Sequence, residues 1–278
     1  LYLNDGHGRF ADASVRISVT GISNAVLVTD IDLDGDADIL IGNNGQNVVL
    51  INNGTGFFTD ETAQRLPLRR DVTQDLELGD VDGDSDRDLL VGNEGANRLL
   101  INIGGGFFRD ASADRIPLIA EPEETREADF GDIDGDGDLD IFFANVRLFV
   151  AGALRQNRLL INQGQGHFSD DTAQRLPADH DQSMDGDFVD IDADGDLDIM
   201  TANLDSVAGF PANTRYRVYL NDGQGAFTEA TDRFFSPDVT GNGLDIEAAD
   251  VNGDERLDLY LASRGGTDRL LLNRMADE

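Results

Sequence analysis

The stretch DIDADGDLDIM, residues 190–200, decides the fold of this chain. It places Asp at every second position from 190 to 198, has Gly195 near its middle and ends in apolar residues. A hard cation such as calcium takes about six to eight oxygen ligands from carboxylates, backbone carbonyls and water. Carboxylates at loop positions one, three, five and nine can therefore surround one ion, with the position-seven carbonyl as a further ligand. The stretch predicts a metal-binding loop that leads into a β-strand.

Four other stretches repeat this pattern, and we number the five as loops one to five (30–38, 80–88, 132–140, 190–198 and 250–258). An ordinary solvated turn would interchange Asp with Glu, Lys and Ser, so the fixed register favours up to five structural calcium ions. The predicted side-chain ligands are Asp30, Asp32, Asp34, Asp38, Asp80, Asp82, Asp84, Asp88, Asp132, Asp134, Asp136, Asp140, Asp190, Asp192, Asp194, Asp198, Asp250, Asn252, Asp254 and Asp258. The residues predicted to bind through the position-seven carbonyl are Asp36, Asp86, Asp138, Asp196 and Arg256.

The loops differ at two positions. Asn252 replaces Asp at position three of loop five, which lowers the ligand charge from four to three, so we expect this site to be the weakest. Position six is Gly in loops one, three and four, where it permits a turn with positive φ. The same position is Ser85 in loop two and Glu255 in loop five, so we expect these two loops to be more strained.

Composition narrows the possible partners and compartments. The chain has 278 residues, 40% of them hydrophobic, and a net charge of −34. Of its 55 acidic residues, 23 lie at odd loop positions, and five calcium ions would give −34 + 10 = −24. This negative field argues against nucleic acid or an anionic membrane as partner. Cysteine is absent, and no apolar run approaches the roughly 18 residues of a membrane span.

The loop starts are 50, 52, 58 and 60 residues apart, which indicates a repeated supersecondary unit. Each unit contains four short apolar segments: one before the loop, one after it, a third such as LLIN (99–102), and a fourth that follows a Gly-rich turn. Four-stranded units of this period predict an all-β protein, a β-propeller of antiparallel blades. The expected units of this single domain, residues 1–278, are 24–62, 74–112, 126–172, 185–231, and 1–14 joined with 244–273.

The alternation of two motifs also resembles a known family. DxDxDGxxD is followed by N-x-L-L-x-N-x-G-x-G-x-F-x-D across essentially the whole chain, which looks like the bacterial VCBS or FG-GAP repeats, kin to the integrin alpha propeller. The resemblance implies a calcium-binding β-propeller. Phe130-Gly131 keeps a Phe-Gly pair, but others read Leu78-Gly79 or Val189-Asp190, and no Gly-Ala-Pro follows the second strand. This departure argues against integrin-type partners.

The two ends of the chain suggest how the ring closes. Residues 1–14 read as a third and a fourth strand without a first, whereas the last unit has strands one to three. Because Leu1 begins in the middle of a repeat, we expect that the chain is trimmed. We expect five blades, with the N- and C-terminal strands paired so that no edge stays open. Residues 1–4 and 270–273 compete for one strand position, so part of a larger six- to eight-bladed propeller is the alternative.

A candidate ligand site lies on the face opposite the calcium loops. The loops between the second and third strands are short in the first two blades and long in the third (145–157) and fourth (203–217). Aromatic and Arg side chains dominate binding hot spots. The candidate ligand-binding residues are Arg147, Phe149, Arg155, Phe210, Arg215 and Tyr216. The simpler explanation is that the two long loops pack against each other.

These observations favour a secreted, periplasmic or cell-surface binding or adhesion module for a protein or glycan, with structural calcium. Extracellular calcium modules bind at roughly 10⁻⁴ to 10⁻³ M, which suits sites outside the cytosol. No nucleophile elbow, phosphate loop or zinc spacing is present, so we do not expect an enzyme. A polysaccharide lyase or hydrolase, or an architectural spacer of a larger protein, remains the alternative.

Overall fold

A computed structural model describes residues 1–179, 181–204 and 216–273. The N-terminal hairpin is β1 (Tyr2–Asn4) and β2 (Phe10–Asp12). Blade one is β3 (Ser23–Thr29), β4 (Asp38–Gly45), β5 (Val48–Asn52) and β6 (Phe58–Asp60); blade two is β7 (Asp71–Gly79), β8 (Asp88–Asn93), β9 (Arg98–Asn102) and β10 (Phe108–Asp110). Blade three is β11 (Thr125–Gly131), β12 (Asp140–Asn145), β13 (Arg158–Asn162) and β14 (Phe168–Asp170); blade four is β15 (Ser183–Val189), β16 (Asp198–Asn203), β17 (Arg217–Asn221) and β18 (Phe227–Glu229). The fifth unit is β19 (Gly243–Ala249), β20 (Asp258–Ser263) and β21 (Arg269–Leu271).

Each blade is an antiparallel meander in chain order, and the first strands β3, β7, β11, β15 and β19 contact one another in sequence. Blades one and two also share a sheet, because β4 pairs with β7 through Asn44↔Val72 and Gly45↔Asp71. The fold is therefore an all-β propeller, as predicted. Most strands extend beyond the predicted apolar segments, because polar residues at their ends continue the hydrogen-bonded ladder.

The hydrophobic core lies between neighbouring blades, which explains the continuous apolar runs of the second strands. Along β8, Leu90 packs into a cluster with Phe143 of blade three. Its neighbours Leu89 and Val91 pack on the other side, in a cluster with Leu40 of blade one. Because successive side chains of a strand point to opposite faces, one apolar run joins a blade to both of its neighbours.

One short helix follows the fourth strand of each complete blade: α1 (Thr62–Arg65), α2 (Ser112–Arg115), α3 (Thr172–Arg175) and α4 (Thr231–Phe234). In blade three, the Asp170 carboxylate accepts the N–H of Thr172, whose hydroxyl accepts the N–H of Leu159. These contacts fix the helix against the third strand. None of the described helices has the length and apolar character that a membrane span requires.

The expected pairing of the chain ends is not observed among the described residues. Strand β2 pairs with β1 alone, and β21 pairs with β20 alone. Arg16, in a 3-10 helix after the N-terminal hairpin, donates to the carbonyl of Thr55 and stacks on Phe57 of blade one. The N-terminal hairpin therefore packs against the outer part of blade one. Strands β1 and β21 each correspond to the third strand of a repeat unit. Five-bladed and larger rings both stay predictions.

Candidate metal centres and the opposite face

In the described part of the chain, loops one to four each bring three carboxylates together, with oxygens within 4.8 Å of one another. The groups are Asp30, Asp32 and Asp38; Asp80, Asp82 and Asp88; Asp132, Asp134 and Asp136; and Asp190, Asp192 and Asp194. Each loop joins the first strand of a blade to the second. Each of these loops therefore gathers three of its four predicted carboxylate ligands into a compact, all-oxygen donor set. The fourth predicted carboxylate of each loop, Asp34, Asp84, Asp140 or Asp198, falls outside these groups.

The position-one carboxylate organises the backbone of each loop. In loop three, Asp132 Oδ1 accepts the N–H groups of Gly135 and Asp136, and its Oδ2 accepts the N–H of Gly137 at 3.1 Å. Asp136 in turn accepts the N–H of Asp138 at 2.9 Å. These bonds hold the loop in a tight turn around the carboxylates.

The position-nine carboxylate is buried and joins the loop to the third strand. Asp140 is 1% exposed, and its two oxygens accept the N–H groups of Ile133 at 3.2 Å and Asn162 at 2.8 Å. Burial raises the pKa of Asp140 to about 7 despite these two bonds, and the carboxylates of Asp134 and Asp136 raise it further. For the same reasons the pKa rises to about 7 at Asp88, to about 6 at Asp198, and also at Asp38.

The position-three carboxylate carries an oxygen with no partner. Asp134 Oδ2 binds the Arg175 guanidinium at 3.4 Å, whereas its Oδ1 is buried and accepts no hydrogen bond. The same unpartnered oxygen occurs at Asp32, Asp82 and Asp192. An unsatisfied buried polar atom costs about 1–3 kcal/mol unless something binds it. Loops one to four therefore fit a cation that prefers oxygen ligands.

Loop five differs at this position. The Asn252 amide donates to Asp258 Oδ2 at 3.1 Å. Position three of loop five therefore presents an N–H donor, whereas in loops one to four it presents an unpartnered carboxylate oxygen. Among its described residues, loop five has no group of three carboxylates within 4.8 Å. The expectation that loop five is the weakest site agrees with this contact.

Backbone strain, seen as non-glycine residues with positive φ, is not confined to the two Asp loops where the sequence predicts most of it. Position six has positive φ throughout, including 76° at Ser85 and 65° at Glu255, but position four does too, with φ of 61° at Leu33 and 60° at Ala193. Loops one, two, four and five therefore each hold one non-glycine residue in the left-handed region. Loop three alone has Gly at both positions. The prediction that loops two and five are more strained than the others is wrong, because loops one and four each hold one such residue as well.

No described contact tests whether the position-seven carbonyls face the ion. The side chain at this position meets the following Gly turn instead: a Cβ on Gly54 would lie 2.7 Å from Asp36 Oδ2, and one on Gly223 would lie 2.5 Å from Asp196 Oδ2. The role of the carbonyls stays a prediction. In the turns of blades one and four, the first Gly therefore leaves the room that the Asp side chain needs.

Sequence reasoning missed an arginine in each short helix, the last residue of α1 to α3 and the third residue of α4. Arg65, Arg115, Arg175 and Arg233 bind the position-three Asp of their own blade, at N···O distances between 3.0 and 3.4 Å. A sequence pattern could have revealed them. In blades one to three, an Arg follows three residues after the Ser or Thr that comes just after the fourth strand, and in blade four it follows two residues after Thr231. An Arg that recurs at this place in each repeat indicates an ion-pair partner for the loop carboxylates.

On the opposite face, the long loop of blade three is built around Glu124. One oxygen of this buried carboxylate accepts the N–H groups of Leu148, Phe149 and Val150 at 2.8–2.9 Å, and the other binds Arg126. Phe149 is 73% exposed and lies over the Arg126 guanidinium at 5.2 Å. The loop presents a rigidly held aromatic side chain to solvent.

The other ligand candidates fall in three places. Arg147 is exposed on the same loop, and burial and the charge of Arg147 lower the pKa of Arg155, so these two cations lie close together. Tyr216 is 2% exposed, and its hydroxyl donates to the carbonyl of Ala262 at 2.7 Å. Tyr216 is thus a core residue between blade four and the fifth unit. Phe210 and Arg215 lie outside the described residues.

A second set of carboxylates, the inner-strand carboxylates, lies on the first strands of blades two to four and the fifth unit. It comprises Asp75, Glu77, Glu127, Asp129, Asp185, Asp187, Asp245 and Glu247. Asp75, Asp129 and Asp185 each accept an N–H from the next inner strand, at 2.7–3.2 Å. Burial, followed by the charges of Asp129 and Asp75, raises the pKa of Glu77 to about 7, and burial and neighbouring carboxylates also raise the pKa of Glu127.

Four-stranded blades with an Asp loop in the first hairpin define a repeat β-propeller with candidate metal sites. The chain belongs to the FG-GAP-like repeat family, whose repeats match residues 30–91, 80–143, 148–201 and 203–261. The predicted family is thereby confirmed. No sequence among the curated proteins matches significantly.

Solved structures also resemble the fold. An Agrocybe aegerita lectin that recognises non-reducing terminal N-acetylglucosamine aligns with a TM-score of 0.55 and 20% identity, over 98% of this chain and 74% of the lectin. The V. cholerae biofilm matrix protein Bap1 aligns with a TM-score of 0.44 and 14% identity, over 87% of this chain and 35% of Bap1. BBS1N, solved in complex with ARL6DN, aligns with a TM-score of 0.44 and 11% identity, over 91% of this chain and 80% of BBS1N.

Proposed function

We propose that this chain is a secreted or surface-exposed, calcium-stabilised β-propeller that binds a protein or glycan on the face opposite the Asp loops. The observation that carries the calcium proposal is the buried, unpartnered oxygen at position three of four loops. Together with the carboxylates beside it, this oxygen suits a hard divalent cation. Calcium would neutralise the crowded charges and link the first strand of each blade to the second, so its role is structural.

Calorimetric titration of the metal-free chain tests this proposal. We expect four ions of similar affinity and a weaker fifth, and a large rise in melting temperature on calcium addition, because calcium binds the folded loops and not the unfolded chain. Magnesium serves as the comparison ion, since it demands octahedral geometry and retains its water. Absence of binding, or binding with no rise in melting temperature, would contradict the structural role.

The binding proposal is supported by the loop around Glu124. It holds Phe149 exposed beside the Arg126 guanidinium, on the loop that also carries Arg147 and Arg155. An exposed aromatic side chain on a fixed loop is typical of binding hot spots. The lectin shares this fold, which makes a glycan a natural first class of ligand to test. A panel of neutral and acidic glycans, followed by candidate proteins, identifies the ligand.

Variants at two exposed Phe residues then locate the site. Phe149→Ala is expected to weaken binding by about tenfold or more, because hot-spot aromatics contribute most of the affinity of such surfaces. Phe10→Ala is the matched control, since Phe10 is 65% exposed on the N-terminal hairpin. Equal losses in both variants, or no loss in either, would place the ligand elsewhere.

A second candidate function is that of a polysaccharide lyase or hydrolase, and the inner-strand carboxylates favour it. Enzymes that act on glycosidic bonds use carboxyl groups held in different protonation states, which raised pKa values such as that of Glu77 make possible. Assay of the same glycans for turnover distinguishes the two functions. Product formation that Glu127→Gln abolishes would favour catalysis, whereas binding without turnover favours the module.

A further inference from the structure

The helix arginines make a second contact that connects neighbouring blades. Arg65 donates to the carbonyl of Gly105, which lies in the Gly turn of blade two. Arg115 donates to the carbonyl of Gln165 at 2.6 Å, in the turn of blade three. Each guanidinium therefore joins the position-three Asp of its own blade to the Gly turn of the next. We call Arg65, Arg115 and Arg175 the clamp arginines.

The Gly turns are shaped to receive these arginines. A Cβ on Gly166 would lie 2.4 Å from Arg115 Nη1 and 2.9 Å from Val81, a residue of loop two. A Cβ on Gly106 would similarly lie 2.8 Å from Arg65 Nη1. The second Gly of the turn is thus required because the preceding blade's arginine and metal loop pass directly over it. The positive φ of Gly166 (70°) and of Gly106 (74°) favours Gly at this position as well.

A further bond runs along the same route. The Asn221 amide, which also accepts two N–H groups of its own turn, donates to the carbonyl of Ile133 in loop three. Arg175 reaches the same turn through the carbonyl of Gln224. The turn of blade four is thus joined to loop three directly by Asn221 and indirectly by Arg175, which binds Asp134, so its position depends on how that loop is arranged.

From this geometry we infer that the clamp arginines transmit metal occupancy from one blade to the next. The inference rests on the calcium-binding function proposed above. A cation bound at position three would fix the Asp carboxylate, whose other oxygen holds the guanidinium. The fixed guanidinium then orders the following Gly turn. A guanidinium suits this role because its planar, forked donors bind two acceptors at once.

Hydrogen exchange of the whole chain, with calcium and with chelator, tests the coupling. In the wild type we expect calcium to slow amide exchange by about tenfold both in loop three and in the turn of blade four, residues 222–226. Asp136→Asn removes a ligand of loop three without touching Arg175, and should abolish the slowing in both places. The turn of blade three, residues 163–167, should keep its calcium response, because it docks on loop two.

Arg175→Gln separates the clamp from the metal site. Loop three should retain its calcium-induced slowing, while residues 222–226 lose theirs. Arg115→Gln repeats the test on loop two and residues 163–167, should the first variant fold poorly. Arg98→Gln is the matched arginine control, since Arg98 pairs with Asp71 and Asp110 instead of a loop carboxylate.

The outcomes distinguish this inference from the calcium proposal. If calcium slows exchange in the loops but residues 222–226 keep their response in Arg175→Gln, the clamp is overturned and calcium binding stands. The same conclusion follows if Arg98→Gln removes the response equally. If calcium slows exchange nowhere in the wild type, both proposals are overturned.

Discussion

The Asp loops and the inner-strand carboxylates crowd negative charge in two different ways. In loop three, Asp132 collects three consecutive backbone N–H groups, and Asp134 keeps one oxygen free. On the inner strands, a carboxylate such as Asp75 accepts one N–H from the next strand, and burial raises its pKa. A tight turn can direct several amides at one carboxylate, whereas an extended strand engages its amides in the ladder. Position three of a loop therefore keeps an oxygen for a cation, whereas burial favours a proton on the inner strands, as it also does at position nine of the loops.

The largest expected effect comes from the buried end of a loop. Asp198→Ala should lower the free energy of unfolding by about 3 kcal/mol, because it leaves the buried N–H groups of Ile191 and Asn221 without acceptors. This loss is expected in chelator as well as in calcium, where weakened metal binding adds to it. Urea denaturation under both conditions measures it. A loss confined to calcium would show that position nine acts through the metal alone.

Asp194→Ala sharpens the comparison, because position five is exposed and accepts the N–H of Asp196 at the loop surface. We expect a loss of about 2 kcal/mol in saturating calcium, from weakened metal binding to the folded state. In chelator the change should be near zero, since removing one charge relieves repulsion. Melting curves with and without calcium provide the measurement. Equal losses in both would show that loop four acts without metal.

The inner-strand carboxylates should respond to pH in the opposite sense to ordinary acidic groups. Because the pKa of Glu77 is raised to about 7, the folded chain holds a proton that the unfolded chain loses near pH 4.5. Its stabilising contribution is therefore complete below about pH 4.5 and is lost as pH rises through 7. Glu77→Gln should therefore increase the free energy of unfolding more at pH 8 than at pH 5.5. The difference between the two effects should be about 1 kcal/mol after allowance for solvent screening.

Thermal melts in saturating calcium at the two pH values give this difference. Glu121→Gln is the control, because Glu121 is an exposed residue of the loop between blades two and three. A wild-type chain whose stability rises from pH 5.5 to pH 8 through Glu77 would contradict the proton-based account of the inner strands.

Asn252→Asp turns loop five into a copy of the first four. The variant loses the amide bond to Asp258 and gains a fourth carboxylate, so in chelator it should be destabilised by about 1 kcal/mol. In calcium it should gain about 1 kcal/mol and bind one more ion in the tight class, as calorimetric titration would show. An unchanged ion count would mean that position three does not set the affinity.

The smallest expected effect tests backbone strain in the loops. Leu33 has a φ of 61°, and its side chain is 67% exposed. Leu33→Gly should therefore stabilise the fold by about 0.5 kcal/mol, because the relief of backbone strain outweighs the extra conformational entropy that Gly loses on folding. Gly137→Ala, at a φ of 93°, should destabilise by about 1 kcal/mol. Denaturant titration compares them. A stabilising Gly137→Ala would show that left-handed φ is not costly here.

The sequence predicted the blades and the clustering of the loop carboxylates, because both depend on local patterns. Alternating Asp residues such as Asp190 and Asp192 fix one turn, and an apolar run such as 99–102 fixes one strand. The clamp arginines and the core position of Tyr216 were missed because they depend on contacts between blades. Arg65 lies 33 residues from Asp32 and 40 from Gly105, and its helix is too short to show a periodic pattern.

The inner-strand carboxylates show the same limit. Asp75 and Glu127 read as ordinary polar residues of two half-exposed strands, and only the packing of β7 beside β11 makes them mutual neighbours. Their raised pKa values are a property of the assembled propeller. Composition predicts how much charge the chain carries, but not where that charge becomes costly.

The one-way direction of the clamp has an evolutionary consequence. Blades one to three each offer an arginine to the Gly turn of the blade that follows, and Gly turns such as 163–167 receive one from the blade before. A duplicated blade inserted in tandem would meet matching partners on both of its sides without any new interface. The array can thus be lengthened by gene duplication alone, and later divergence can be confined to loops, as the long loop of blade three shows.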